Sequence, residues 1–197
     1  LIGWNCIQRR NMGFLYAARQ GAELVATVDD DNMPLEWWGG FEQTREYVRV
    51  YDSDLPVIDP LSAYYTDDVW HRGFPLTLVS RRSEVALREK TESVTADVQA
   101  NLWNGDPDIH MPTRDYTYSP WLAATKPMPF NSQNTILTRA ALADYFCFPA
   151  CGRYDDIYGA YVCQAYGHRV VFGPATVEQH RAGHDLATDM AAEVDGY

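Results

Sequence analysis

Apolar residues recur at Ile7, Phe14, Leu15 and Ala18, at spacings of three, four and seven that predict a helix over residues 5–20, with Gly21 placed as its closing C′ residue. Residues 23–28 are short, rich in β-branched side chains and apolar on both faces toward the end, a pattern that predicts a central strand of an α/β sheet. Residues 33–82 hold Pro34, Pro56, Pro60 and Pro75 among many aromatics and predict loops and short elements over the sheet. Residues 93–98 alternate and fit a strand or a short helix, and 104–112 predict a loop. After an irregular stretch at 127–131, residues 133–137 predict a strand and Thr138 an N-cap for a helix to about Tyr145. Residues 155–167 predict a second helix, with Asp155 and Asp156 at the end where the helix dipole favours carboxylates and Gly167 at the other. A strand over 169–172 precedes a loop carrying His180 and His184. No internal repeat or linker interrupts this order, so residues 1–197 predict one α/β domain.

Composition narrows the classes. With 197 residues, 46% of them hydrophobic, the chain can bury a core. A net charge of −11 and a pI of about 4.7 argue against general binding to nucleic acid or to an anionic membrane surface, both of which need a basic face. Cys6, Cys147, Cys151 and Cys163 fit neither a dense disulfide framework nor paired zinc-binding spacing, which favours buried or reduced thiols and a cytoplasmic setting. No apolar run has the ~20 residues of a membrane span. The first residues carry neither an initiator methionine nor a signal-peptide pattern, so an upstream segment is expected to be missing from this sequence.

Three clusters carry candidate chemistry. Asp29, Asp30 and Asp31 follow directly on the strand predicted over 23–28, at the strand end where open α/β sheets place ligands. Hard oxygen ligands there suit Mg²⁺ or Mn²⁺, although a bare Asp-x-Asp more often marks a solvated acidic turn. Arg153, Asp155 and Asp156 open the second helix; a carboxylate there can take a proton or hold a sugar hydroxyl while the arginine meets a phosphate, or the group can simply cap the helix. His180 and His184 follow the last strand, where a histidine can complete a metal site begun by distant aspartates or lie idle on the surface. Gly183 and the absence of a glutamate after His180 count against a zinc-protease helix. Arg9 and Arg10 could hold a diphosphate or form a solvated basic turn, and Trp37, Trp38, Trp103 and Trp121 could stack on sugars or pack in the core.

Taken in order, these residues resemble the GT-A glycosyltransferases, in particular the plant reversibly glycosylated polypeptides (UDP-arabinopyranose mutases) and STELLO-type enzymes. The resemblance is carried by Arg9, Arg10 and the Gly13, Phe14, Leu15 step, by Asp29, Asp30 and Asp31, by Leu102 and Trp103 with Pro107 and Asp108, by the succession Gly152, Arg153, Tyr154, Asp155, Asp156, Ile157, and by the segment 173–180 ending in His180. It implies a GT-A-like, Rossmann-like mixed sheet flanked by helices and a metal-dependent glycosyltransferase using a nucleotide-diphosphate sugar. The alternatives it carries are a mutase with the same site, or a non-catalytic module binding glycan or nucleotide-sugar. It further implies Mn²⁺ or Mg²⁺ at Asp29, Asp31 and His180, nucleotide-sugar contacts at Arg9, Arg10, Asp29, Asp30 and His184, and catalytic roles for Arg153, Asp155 and Asp156. The acceptor is open (glycan, small molecule or protein), as is self-association into a homo-oligomer. Only about four residues precede the first helix, where the GT-A nucleotide-binding strand would lie, so the domain is expected to be N-terminally incomplete. Tyr158 stands where the mutases carry tryptophan.

Overall fold

The computed structural model describes residues 4, 6–64, 69–87, 91–106, 114–181, 183 and 185–197. Pro107, Asp108 and His184 lie outside them. The elements in chain order are α1 (Arg10–Arg19), β1 (Leu24–Val28), β2 (Asn32–Pro34), β3 (Thr44–Asp52), β4 (Ala86–Leu87), β5 (Glu92–Thr95), β6 (Val98–Gly105), β7 (Leu122–Ala124), β8 (Asn134–Thr138), α2 (Arg139–Asp144), α3 (Asp155–Ala165), β9 (Val170–Gln179) and α4 (Leu186–Glu193), with short 3₁₀ turns between them. The result is a mixed α/β fold: a curled sheet in the order β1-β8-β6-β9-β7-β3-β4, with β2 added along β9 and β5 along β3. The β6–β9 and β3–β7 pairs are parallel and the other pairs antiparallel.

Each well-patterned segment forms its element. Helix α1 ends at Gln20, and Gly21 follows with φ of +79°, a left-handed geometry that glycine adopts without steric penalty. The Thr138 side chain accepts the Ala141 N–H and starts α2. Helix α3 begins at Asp155, and Gly167 follows it with φ of +96°.

Three expectations are corrected. Strand β1 is not central: among the described residues it pairs only with β8 and so lies at the edge of the sheet. Its inward side chains Val25, Thr27 and Val28 are buried or half-buried while Leu24 and Ala26 are exposed, and a short run of β-branched residues does not distinguish one buried face from two. The segment 33–82 holds loops and short elements as expected, but it also holds the nine-residue strand β3. Val48 and Val50 point into the core, but Tyr47, with φ of +60° and its side chain exposed, kinks the strand and breaks the alternation. Strand β9 does not stop at Phe172; it continues through Pro174 to Gln179. The proline is tolerated because the β6–β9 register shifts between the Asn101–Gly173 and Trp103–Val177 pairs, leaving residue 174 out of the ladder. Residues 93–98, open between strand and helix, form β5 and the start of β6.

The main core joins Phe14 of α1, Val98, Ala100 and Leu102 of β6, Leu137 of β8, Ala160 and Cys163 of α3, and Val170 and Phe172 of β9. Val48, Val50, Val94, Ala123 and Val171 form a second apolar layer. Helix α3 packs so closely on the segment after α2 that a Cβ on Gly159 would lie 2.3 Å from the Phe146 carbonyl oxygen, whereas one on Gly13 would meet nothing within 4 Å. Gly159→Ala is therefore expected to destabilise the fold by about 1–3 kcal/mol through overpacking, and Gly13→Ala to stabilise it by about 0.5–1 kcal/mol through helix propensity. Denaturant unfolding of the two variants checks both signs.

Candidate functional site

The polar run Asn131, Ser132, Gln133, Asn134 and Thr135, which leads into β8, is almost wholly buried. Such a run folds only if its groups find partners, and the partners are the site. Gln133 Nε2 donates to Gln179 Oε1 at 2.8 Å, and the Gln133 carbonyl accepts from the Asp29 N–H at 3.1 Å and from Asn32 Nδ2 at 3.0 Å. Gln179 Nε2 in turn approaches the two Asp31 oxygens at 3.3 and 3.5 Å. The acidic turn is thus fixed to the end of β9. The His180 N–H donates to the Asp31 carbonyl at 2.9 Å, which brings His180 beside the turn.

Arg10 reaches across from α1. Its Nη2 meets Asp29 Oδ1 at 2.7 Å and its Nη1 donates to both the carbonyl and the hydroxyl of Ser132. Burial opposes its charge, yet the charge and hydrogen bond of Asp29 outweigh burial and hold the Arg10 pKa above its ordinary value. Ser132 then donates through N–H and Oγ to Asp156 Oδ2 at 2.9 and 3.0 Å. Arg72 Nη2 contacts the same carboxylate at 3.1 and 3.4 Å. Asp156 is therefore buried but fully engaged. Its neighbour Asp155 accepts from Gln8 Nε2 at 3.1 Å; burial, and then the charge of Asp156, push its carboxyl up to about 6.

Asp29, Asp155, Asp156 and Arg153 line one cleft of about 230 Å³, together with Arg72, Arg181 and Gln133. The acidic turn and the start of α3, 124 or more positions apart in sequence (155 − 31), face each other across it. Asp30 and the His180 side chain are exposed, the latter 3.7 Å from Glu178, and the Arg9 guanidinium stacks over Trp4 at 4.6 Å, away from the cleft lining. Trp103 is buried in the core, and Trp121 carries Arg45 over its ring at 3.5 Å.

Sequence reasoning missed Gln8, Arg72, Ser132, Gln133 and Arg181. Arg72 and Arg181 lie in stretches without periodicity; Ser132 and Gln133 carried a signal, an unbroken polar run entering a strand. The backbone just before Arg72 is held by Asp59, which is fully buried and accepts the Leu61 and His71 N–H groups, each at 3.0 Å, with Arg82 3.9 Å away.

Among the described residues no group of three or more His, Cys, Asp or Glu side chains is gathered to hold a metal ion, and no helix is long and apolar enough to cross a membrane. A scan against protein-family models and a search of curated proteins each find no match to this chain.

Burial pushes the Asp59 carboxyl up to about 7, against its hydrogen bonds and Arg82, which pull it down. Its unfolded value is about 3.9. The raised folded value means that the proton is held more tightly in the native state, so the stabilisation is complete below pH ~4 and is lost as pH rises toward ~7. Asp59→Asn is expected to remove on the order of 3 kcal/mol of this pH dependence, measured by denaturant unfolding at intervals from pH 4 to 7; Asp155 leaves a smaller slope of the same sign in the lower part of that window.

Proposed function

We propose that the chain is a glycosyltransferase domain of GT-A type, acting on a nucleotide-diphosphate sugar. The observation that supports this reading is the meeting of the Asp29–Asp31 turn with the Arg153, Asp155, Asp156 helix start across one arginine-lined cleft. Arg72, Arg153 and Arg181 suit the two phosphates, and the carboxylates suit sugar hydroxyls.

The oxygen donors of the turn fit a hard divalent cation, Mg²⁺ or Mn²⁺. Among the described residues the Asp31 carboxylate is engaged only by the long Gln179 contacts, and Asn32 Oδ1 is buried without a hydrogen-bond partner. Asp31 and Asn32 would hold the ion, with Asp29 and His180 beside them. When bound, it supplies charge neutralisation to the departing diphosphate.

The remaining roles belong to side chains of the cleft. Arg10 fixes the Asp29 carboxylate, and Arg72 and Ser132 hold Asp156 so firmly that it serves as a support rather than a base. Asp155, raised toward neutrality, is the proton acceptor. In an inverting displacement the acceptor oxygen bonds to the anomeric carbon, the bond from that carbon to the phosphate oxygen breaks, and the acceptor's proton passes to Asp155. The mutase alternative would use Arg153 as the glycosylated residue. Its guanidinium is engaged by Asp189 at 2.9 Å and Glu193 at 3.2 Å.

The expected result is a rise in melting temperature with a UDP- or GDP-sugar that depends on Mn²⁺ and vanishes in Asp31→Ala. Asp155→Asn should keep that shift and lower turnover about 100-fold or more. Failure of every nucleotide-sugar to stabilise the chain in the presence of metal would sink the reading.

A further inference from the structure

Helix α4 lies against the cleft and presents it with carboxylates. It is capped by Asp185, which accepts the Ala187 N–H at 3.0 Å and the Thr188 hydroxyl at 2.8 Å. From the helix, Asp189 Oδ1 meets Arg153 Nη1 at 2.9 Å, and Glu193 Oε1 meets Arg153 Nε at 3.2 Å and Arg72 Nη1 at 3.7 Å. The Glu193 side chain is only 2% exposed. Two of the three arginines that line the cleft are therefore already neutralised by one element of the same chain.

The end of that element is tied down with equal care. The Tyr158 hydroxyl donates to the Gly196 carbonyl at 3.0 Å, and Tyr197 packs edge-on to Tyr154 with ring centres 4.9 Å apart. Gly196 passes so near the Tyr154 ring that a Cβ there would approach it to 2.1 Å, and one on Gly152 would lie 2.9 Å from the Ala192 carbonyl. These contacts set α4 over the residues that start α3.

We propose that α4 is an autoinhibitory strap, in which Asp189 and Glu193 occupy on Arg153 and Arg72 the positions that the phosphates of an anionic ligand would take. The inference rests on reading the cleft as a diphosphate site. Arg72 keeps Asp156 as a partner when α4 leaves, but the partly buried Arg153 loses both of its carboxylates, and a guanidinium left without a counter-charge is costly, so the strap leaves when another anion replaces it. Carboxylate and phosphate oxygens use the same guanidinium donors, which makes the exchange chemically symmetric.

The test uses the full chain and inorganic pyrophosphate with Mg²⁺, measured by calorimetry. Asp189→Asn and the double variant D189N/E193Q are expected to bind pyrophosphate about tenfold tighter or more than the wild type, the scale of one charge-assisted hydrogen bond. Because Glu193 is buried and its substitution can disturb folding, a second measurement is made on the unaltered chain: hydrogen exchange of the α4 amides, which should lose protection at saturating pyrophosphate. Unchanged or weaker binding by Asp189→Asn, α4 amides that stay protected at saturation, or no pyrophosphate binding by any of the chains overturns the proposal. The two readings fail separately. Tighter pyrophosphate binding without any nucleotide-sugar effect keeps the strap and removes the transferase, whereas metal-dependent nucleotide-sugar binding that ignores both substitutions keeps the transferase and removes the strap.

Discussion

A carboxylate without water must be surrounded by donors, and Asp156 imposes that condition on the whole site. Only 2% exposed, it draws Arg72 from the loop before Phe74, the N–H and hydroxyl of Ser132 from the lead into β8, and through Ser132 the guanidinium of Arg10 from α1. Four segments far apart in the chain converge because an unpaired charge there would cost several kcal/mol. The environment of Asp155 follows from the same arrangement. Burial, and then the charge of the adjacent engaged carboxylate, push its carboxyl up to about 6.

Elements dominated by local signals were legible in the sequence. The Thr138 cap, the Gly21 and Gly167 terminators and the acidic start of α3 each act through neighbours within a few residues, so spacing alone exposes them. The acidic turn and the Arg153–Asp156 segment stood out in the sequence as candidate chemistry, and Asp29 of the turn lines one cleft with Arg153, Asp155 and Asp156. What stayed hidden depends on partners distant in the chain. Whether β1 lies at the centre or the edge is decided by which strands flank it, and Tyr47 disguised β3 by a single left-handed residue. Arg72 and Arg181 are unremarkable in sequence because their meaning comes from Asp156 and from the cleft wall.

The polar run from Asn131 to Thr135 is the most instructive case. Its composition is wholly polar, but its amides and hydroxyls are enclosed and nearly all are bonded: Asn134 Nδ2 to the Leu102 carbonyl at 2.8 Å, Thr135 Oγ1 to the Asn131 carbonyl at 2.7 Å, and Thr176 Oγ1 to Asn134 Oδ1 at 3.0 Å. A buried network of this kind fixes geometry more than it adds stability. It is the rigid floor on which the acidic turn and the α3 start are mounted.

Strand β9 begins in the apolar core and ends at Gln179 beside the acidic turn, so it connects the core to the candidate site. Between Gly173 and Val177 it takes four steps where β6 takes two, from Asn101 to Trp103. Val170 and Phe172 pack into the main core before the irregularity and Ala175 and Val177 after it, so the inward face passes from even-numbered to odd-numbered residues, and the odd set carries the buried Gln179 to Asp31 and Gln133. The irregularity around Pro174 thus acts as a phase setting: without the change of face it introduces, Gln179 would lie on the opposite side of β9 from the turn it holds.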